Sequence, residues 1–313
     1  MDQTNISLQR ATIKELSPII TNAIVVGIII AKQRLRRFVD NKDTFKERGV
    51  WNFTIRDSIV DYINVTCWGD ANEIIETYDK YHTGDVIEIT KPRIDVRKVG
   101  DIKEQYCPMV TSPFHLTINV PSMAKHETNN YDYYSTLLRH PTKPIVGVIN
   151  LIDVHNSGGG IASFVDLLGA IRTVGPIRII TTKVGNEQQV RDVVILDHTH
   201  PGLKITLWDP EMIARASSWK PRSTVLFMTE MKIDWSSFNR SVVASLTSRT
   251  IITENPVGSE AKKLREYACT VQLENSVILD QLSSYKPNGM LTLFLYLFIY
   301  MHLFNAKYFH AES

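Results

Sequence analysis

The chain has 313 residues, 43% of them hydrophobic and 22% charged, with a formal net charge of +2. That composition suits two or three folded domains, each large enough to bury its own core, and excludes a disordered chain or one driven by a polybasic tail. Cys67, Cys107 and Cys269 lie far apart with no Cys-x-x-Cys pair, which argues against a zinc ribbon and for a reducing compartment.

Residues 1–20 form a short lead-in with a helical turn expected at Ala11–Leu16. Its acids and amides are not those of a signal peptide, so nuclear or cytosolic residence is expected. Asn22–Ala31 is a β-branched run with one glycine, Gly27, which predicts a buried strand able to bend or to approach another backbone closely. Lys32–Arg48 then carries Lys32, Arg34, Arg36, Arg37, Lys42, Lys46 and Arg48 with Phe38 and Phe45 between them. Such a loop suits contact with phosphates and bases together, or else a solvated hairpin.

A hairpin is predicted over Phe53–Gly69, a helix over Asp70–Tyr81, a strand over Gly84–Ile89, a charged turn over Val96–Glu104 and a last strand over Tyr106–Asn119. Three strands, a helix and two strands are the order of an OB-fold, a partly open five-stranded Greek-key barrel, here spanning 21–122. Residues 123–143 read as a polar linker.

The same order recurs over 144–254: strands at Ile161–Val174, Ile177–Thr182 and Val193–Asp197, a helix at Met212–Ser218, then strands at Thr224–Thr229 and Ser241–Thr253. Ser157–Gly160 is expected to be a flexible turn and not a phosphate cradle. The predicted fold class is therefore mostly β, two tandem OB barrels. Residues 255–289 read as a helical connector or the start of a third domain, with helix expected at Pro256–Ala268. Residues 290–313 form an apolar tail whose core, Met290–Phe304, is shorter than the roughly 20 residues of a membrane span. No membrane association is expected, and the tail reads as an alternatively spliced or misassigned end.

The two units share one repeated string. Val193–Asp209 replays Phe53–Gly69, an apolar strand ending in Asp, a polar turn and a strand ending in Trp, and the Asp-to-Trp spacing is identical for Asp57/Trp68 and Asp197/Trp208. Alternation puts Val65 and Cys67 on one face, with Asn64, Thr66 and Trp68 on the other; Ile205 and Leu207 oppose Lys204, Thr206 and Trp208 in the same way. An indole in step with polar neighbours suits a stacking platform for bases, or the cover of a small second core. Stacking on single-stranded nucleic acid then assigns Trp68 and Trp208, a second aromatic at Tyr106 and at Trp235 or Phe238, and phosphate contacts to Arg34, Arg37, Lys103, Lys183, Lys232 and Arg240. Asp57 and Asp197 are expected to serve the turns. No cofactor or metal is expected.

The strings NFTIRDS…VTCWG, YDKYHTGDVIEI, LWD–SSWKPR–V and SRTIIT-NP resemble the meiosis-specific OB-domain family, relatives of the large subunit of replication protein A, over about residues 20–268. The resemblance implies binding of single-stranded DNA at meiotic recombination intermediates, in double-strand break repair, in the nucleus on chromosomes. It places base-stacking aromatics at Trp68 and Trp208, near Tyr106, and near Trp235 or Phe238. It implies replication protein A and a spermatogenesis-associated (SPATA-type) protein as partners, the latter through a third OB domain that is expected here to be missing or truncated. It also implies a 3′–5′ exonuclease on single strands, for which Asp57, Asp95, Asp197 and Asp234 would have to converge around metal ions. A protein-binding scaffold is the remaining expectation.

Overall fold

The computed structural model describes residues 7–271 apart from 41–44, 99, 128–129, 162, 183–184 and 238. The chain enters along β1 (Gln9–Arg10), parallel to the start of β2 (Ala23–Lys32). β2 is buried almost throughout because both of its faces are covered. Val25 and Ile29 face the barrel core, while Val26, Ile28 and Ile30 lie in a second apolar cluster outside it. That double cover explains an uninterrupted aliphatic run where a half-exposed strand would alternate. Gly27 allows the close approach expected of it, since a Cβ there would stand 3.0 Å from the Arg56 carbonyl oxygen.

The first barrel continues through β3 (Arg36–Val39), β4 (Glu47–Arg56), β5 (Tyr62–Asp70), α1 (Ala71–Lys80), β6 (Val86–Thr90), β7 (Arg93–Val96), β8 (Phe114–Asn119) and β9 (Met123–Lys125). The ladder runs β7-β8-β5-β4-β2-β6. β6 and β7 are two halves of one strand bent at Lys91–Pro92, where Lys91 takes φ +50°. One half pairs with β2 and the other with β8, and this bend closes the barrel. Ile74 of α1 plugs its base, and Trp51 lies fully buried with its ring 4.4 Å from that of Phe53.

After α2 (Tyr131–Leu137) and α3 (Leu151–Asn156), the second barrel comprises β10 (Val165–Thr181), β11 (Glu187–Leu196), β12 (Leu203–Leu207), α4 (Pro210–Arg215), β13 (Val225–Ser236) and β14 (Ser241–Ser245), closed by pairing of β10 with β13. β15 (Ile252–Glu254) adds an edge to β13, and α5 (Ser259–Thr270) follows, matching the helix expected at Pro256–Ala268. Two OB barrels are thus present, each with its own core.

Beyond strands that run longer than expected, such as β11 and β13, four elements differ from expectation. Ile161–Val174 and Ile177–Thr182 are one strand, β10, because a register slip between Val174 and Ile177 accommodates Pro176. The strand expected at Tyr106–Asn119 starts only at Phe114, since Pro108 and Pro113 bring no N–H to a ladder. Ser241–Thr253 divides into β14 and β15.

The fourth difference is the linker. Its first residues are β9, paired with β6, and its middle is α2, whose Tyr134 and Leu137 pack on the outer face of β2 together with Ile251 of the second barrel. Arg56, 1% exposed, runs under this helix and donates to the carbonyls of Leu137 and His140, at 3.0 and 2.6 Å, and to that of Ile59. Lys32, whose side chain is 3% exposed, joins the barrels directly. Its ammonium meets Glu211 of α4 at 3.2 Å and donates to the carbonyls of Tyr78 and Tyr81. Glu211 also accepts the Thr83 amide at 2.8 Å. Both barrels belong to one compact unit. The 272–289 segment and the Met290–Phe304 run lie outside the described residues. Among the described residues no helix is long and apolar enough to cross a membrane.

Candidate nucleic-acid interface

The outer face of the β4–β5 hairpin is polar because its outward positions carry Asn52, Thr54, Asn64 and Thr66, with Trp68 at the end. Asn52 pairs with Thr66 across the ladder, and the Thr66 hydroxyl donates to Asn52 Oδ1 at 2.8 Å. That uses its single proton, so the 2.8 Å contact with His115 Nε2 is an N–H donated by the imidazole. Trp68 is half-buried, opposite Val50, and makes a T-shaped contact with Phe38 of β3, ring centroids 6.0 Å apart at 86°. Deeper along the hairpin, Asn64 donates to the Pro108 carbonyl and is closed over by the loop before β8. The open part of the face is therefore the Trp68–Phe38 end.

The second barrel repeats this geometry with more charge. Asp192 pairs with Thr206 across β11 and β12, and the Thr206 hydroxyl donates to Asp192 Oδ1 at 2.8 Å, at the sequence spacing of the Asn52–Thr66 pair. Arg178 at 2.5 Å and Lys204 at 2.9 Å neutralise Asp192, leaving a local excess of one positive charge. Trp208 stands one residue past the end of β12, outside the ladder, 46% exposed. Trp235, 54% exposed, lies in β13 itself and not in the loop after the fourth strand. The Ser157–Gly160 turn backs it: Gly159 has φ +84°, and a Cβ there would lie 2.6 Å from the Trp235 amide nitrogen.

Gln33 ties the two faces together. Its Nε2 donates to the Tyr106 carbonyl at 3.0 Å and to the Ser248 carbonyl of the second barrel at 2.9 Å, while Oε1 accepts from Asn52 at 3.2 Å. One extended segment, 33–38, thus begins at Gln33 and Arg34 in a cleft shared with Trp208 and ends at Phe38 beside Trp68. From Arg34 to Phe38 is at most about 14 Å of chain.

Of the expected phosphate contacts, Arg34, Arg37 and Arg240 are exposed, and Arg34, Arg36 and Arg37 have no carboxylate within ion-pair distance among the described residues. Lys232 is exposed but paired with Asp234 at 2.9 Å. Tyr106 is exposed at the end of a short 3₁₀ helix, Ile102–Tyr106. Phe238, Lys183 and the side chain of Lys103 lie outside the described residues. In the basic segment, Lys32 is a buried inter-barrel cation, while Lys46 and Arg48 pair with Asp70 and Asp40. Sequence reasoning missed Gln33, Asn52, His115, Asp192 and Arg178. The equal Asn52–Thr66 and Asp192–Thr206 spacing was the signal available for two of them.

The repeated aspartates do more than shape a turn. Asp57 Oδ2 accepts the Ile13 amide at 2.7 Å, and Asp197 Oδ2 accepts the Leu151 amide at 2.9 Å, so each holds the first N–H of the short helix ahead of its barrel. Burial pushes the Asp57 carboxyl up to about 6, against the pull of the Ile13 hydrogen bond and with a smaller push from Asp61. Asp95 is bound by Arg93 and Thr117, and Asp234 by Lys232. Among the described residues no three His, Cys, Asp or Glu side chains are grouped to hold a metal.

Residues 6–145 match the family described as MEIOB, N-terminal, and residues 159–254 match the replication protein A OB domain. The chain is 30% identical over 282 residues to the meiosis-specific with OB domain-containing proteins of Homo sapiens and Macaca fascicularis, covering 88% of this chain and 62% and 59% of theirs. It is 30% identical over 287 residues to protein hold'em of Drosophila melanogaster, covering 85% of this chain and 59% of that one. It therefore spans about three-fifths of the length of these relatives. In fold it is similar to a replication protein A heterotrimer bound to ssDNA, with a TM-score of 0.53 and 18% identity over 84% of this chain and 56% of that one.

Proposed function

The chain belongs to the family of meiosis-specific OB-domain proteins, and from that premise we propose that it binds single-stranded DNA across the outer faces of both barrels, in meiotic recombination and repair, on chromosomes in the nucleus. The observation that carries this reading is the segment 33–38, which links Trp208 and Arg34 at one end to Phe38 and Trp68 at the other. Bases stack on the two indoles because every base has a π-face, so the interaction tolerates any sequence. Arg34, Arg36 and Arg37, without a carboxylate at ion-pair distance among the described residues, displace phosphate counterions along the same segment. Replication protein A bound to the same strand and a SPATA-type protein are the proposed partners. Binding without cleavage is the proposed activity, because Asp57, Asp95, Asp197 and Asp234 each serve a local bond in a separate place.

Fluorescence anisotropy with a labelled oligothymidine tests this. Trp68→Ala and Trp208→Ala should each cost about 1–3 kcal/mol of binding, and together more than either alone. A double variant that binds as tightly as the parent sinks the proposal.

A further inference from the structure

Where the barrels meet, a cleft of about 250 Å³ opens beside Trp208. Its buried lining, the floor, is aliphatic, with Met212 and Ile252 of the second barrel and Ile30 of β2, and Leu246 lines it too. The polar groups around that floor are already engaged. Lys32 is held by Glu211 and two carbonyls, Thr206 donates to Asp192, the Thr247 hydroxyl donates to the Glu230 carbonyl, and Asp209 accepts two amides of α4. Three other lining groups differ. Arg34, Ser248 and Trp208 are solvent-exposed, which puts them at the mouth, and the guanidinium, the Ser248 hydroxyl and the indole N–H have no hydrogen-bond partner among the described residues. Apolar walls, a flat aromatic side and donors confined to the rim suit a planar heteroaromatic ring that carries carbonyl acceptors on its edge.

We infer that this seam cleft receives one unstacked, carbonyl-bearing base of the bound strand as it crosses from the first barrel to the second. The inference rests on the single-stranded DNA reading above and deepens it. A base leaving the stack gains by burying its faces against an aromatic and aliphatic groups and by satisfying its edge with hydrogen bonds. Here the faces meet Trp208 and the Leu246–Ile252 wall, while the edge meets the Ser248 hydroxyl, since an indole that stacks on the base points its own N–H away from it. Arg34 stays at the mouth for the adjoining phosphate. Thymine, with two carbonyl acceptors, is the natural probe.

The test uses the full chain and the shortest oligothymidine that binds, with a single abasic position walked along it. Ser248→Phe plugs the mouth from an exposed loop position without touching either core. One abasic position should weaken binding to the parent by about tenfold. Ser248→Phe should weaken the intact oligothymidine by a similar factor, and in that variant the same abasic position should cost nothing further. An abasic profile identical in parent and variant overturns the cleft while leaving base stacking in place. A parent that fails to bind oligothymidine at all overturns the DNA-binding reading itself.

Discussion

Trp51 and Trp68 lie on the two sides of one hairpin and should fail in opposite ways. Trp51 is sealed in the first core between Phe53 and Tyr78, so Trp51→Ala should cost about 3–5 kcal/mol of stability in denaturant unfolding. Trp68 touches the groove and Phe38, so Trp68→Ala should leave the melting temperature within a few degrees and act on DNA affinity. Asp57 gives a pH signature. Its folded-state value of about 6 exceeds the ordinary 3.8, so the folded chain favours the protonated acid. That contribution is complete below about 3.8 and is lost as pH rises through about 6. Asp57→Asn keeps an acceptor for the Ile13 amide and removes the titration. Thermal melts from pH 4 to 7 should show the variant gaining on the parent as pH rises, and a constant difference would refute the assignment. At this scale the alternation of Asn64, Thr66 and Trp68 against Val65 and Cys67 was legible because a strand period of two leaves little freedom. Lys32 was not, because a lysine letter is the same in a solvated loop and in a buried interface.

The strands that could be recognised in advance are those whose partners are close in sequence, β4 with β5 and β11 with β12. The closing strands were misjudged because their limits depend on distant neighbours: β8 lies beside β5, and β15 beside β13. α2 escaped notice for a related reason. A seven-residue helix has little intrinsic stability, and this one is held by Arg56 reaching its last carbonyl, that of Leu137, and by Tyr134 and Leu137 on β2. Among the connecting elements, the Ser157–Gly160 turn is the most sharply determined. Gly159→Ala would force a side chain into both a left-handed backbone and the Trp235 amide. It should cost about 1–3 kcal/mol in chemical denaturation, and it should change Trp235 fluorescence, whereas Gly185→Ala, whose Cβ would meet nothing within 4 Å, should leave that fluorescence alone.

Across the molecule, the barrels are joined by buried polar bonds as well as apolar packing. Lys32→Met strips Glu211 of its ammonium in a site where both side chains are under a tenth exposed. Breaking one member of such a pair costs about 3–5 kcal/mol. Calorimetry should show residues 1–270 unfolding in one transition in the parent and in two in Lys32→Met, with Lys32→Met/Glu211→Gln recovering part of the loss. A single unchanged transition in Lys32→Met would mean that the ion pair does not couple the barrels.

The wedge formed by α2 and Arg56 also decides which party pays for order when a strand lands. Two modules on a slack tether must surrender their relative freedom at capture, and affinity is reduced accordingly. Here that freedom was given up when the chain folded, so the second platform waits at a fixed bearing from the first. On the proposed reading, curvature in a bound strand would come from the nucleic acid, bending to the template that the joined barrels offer.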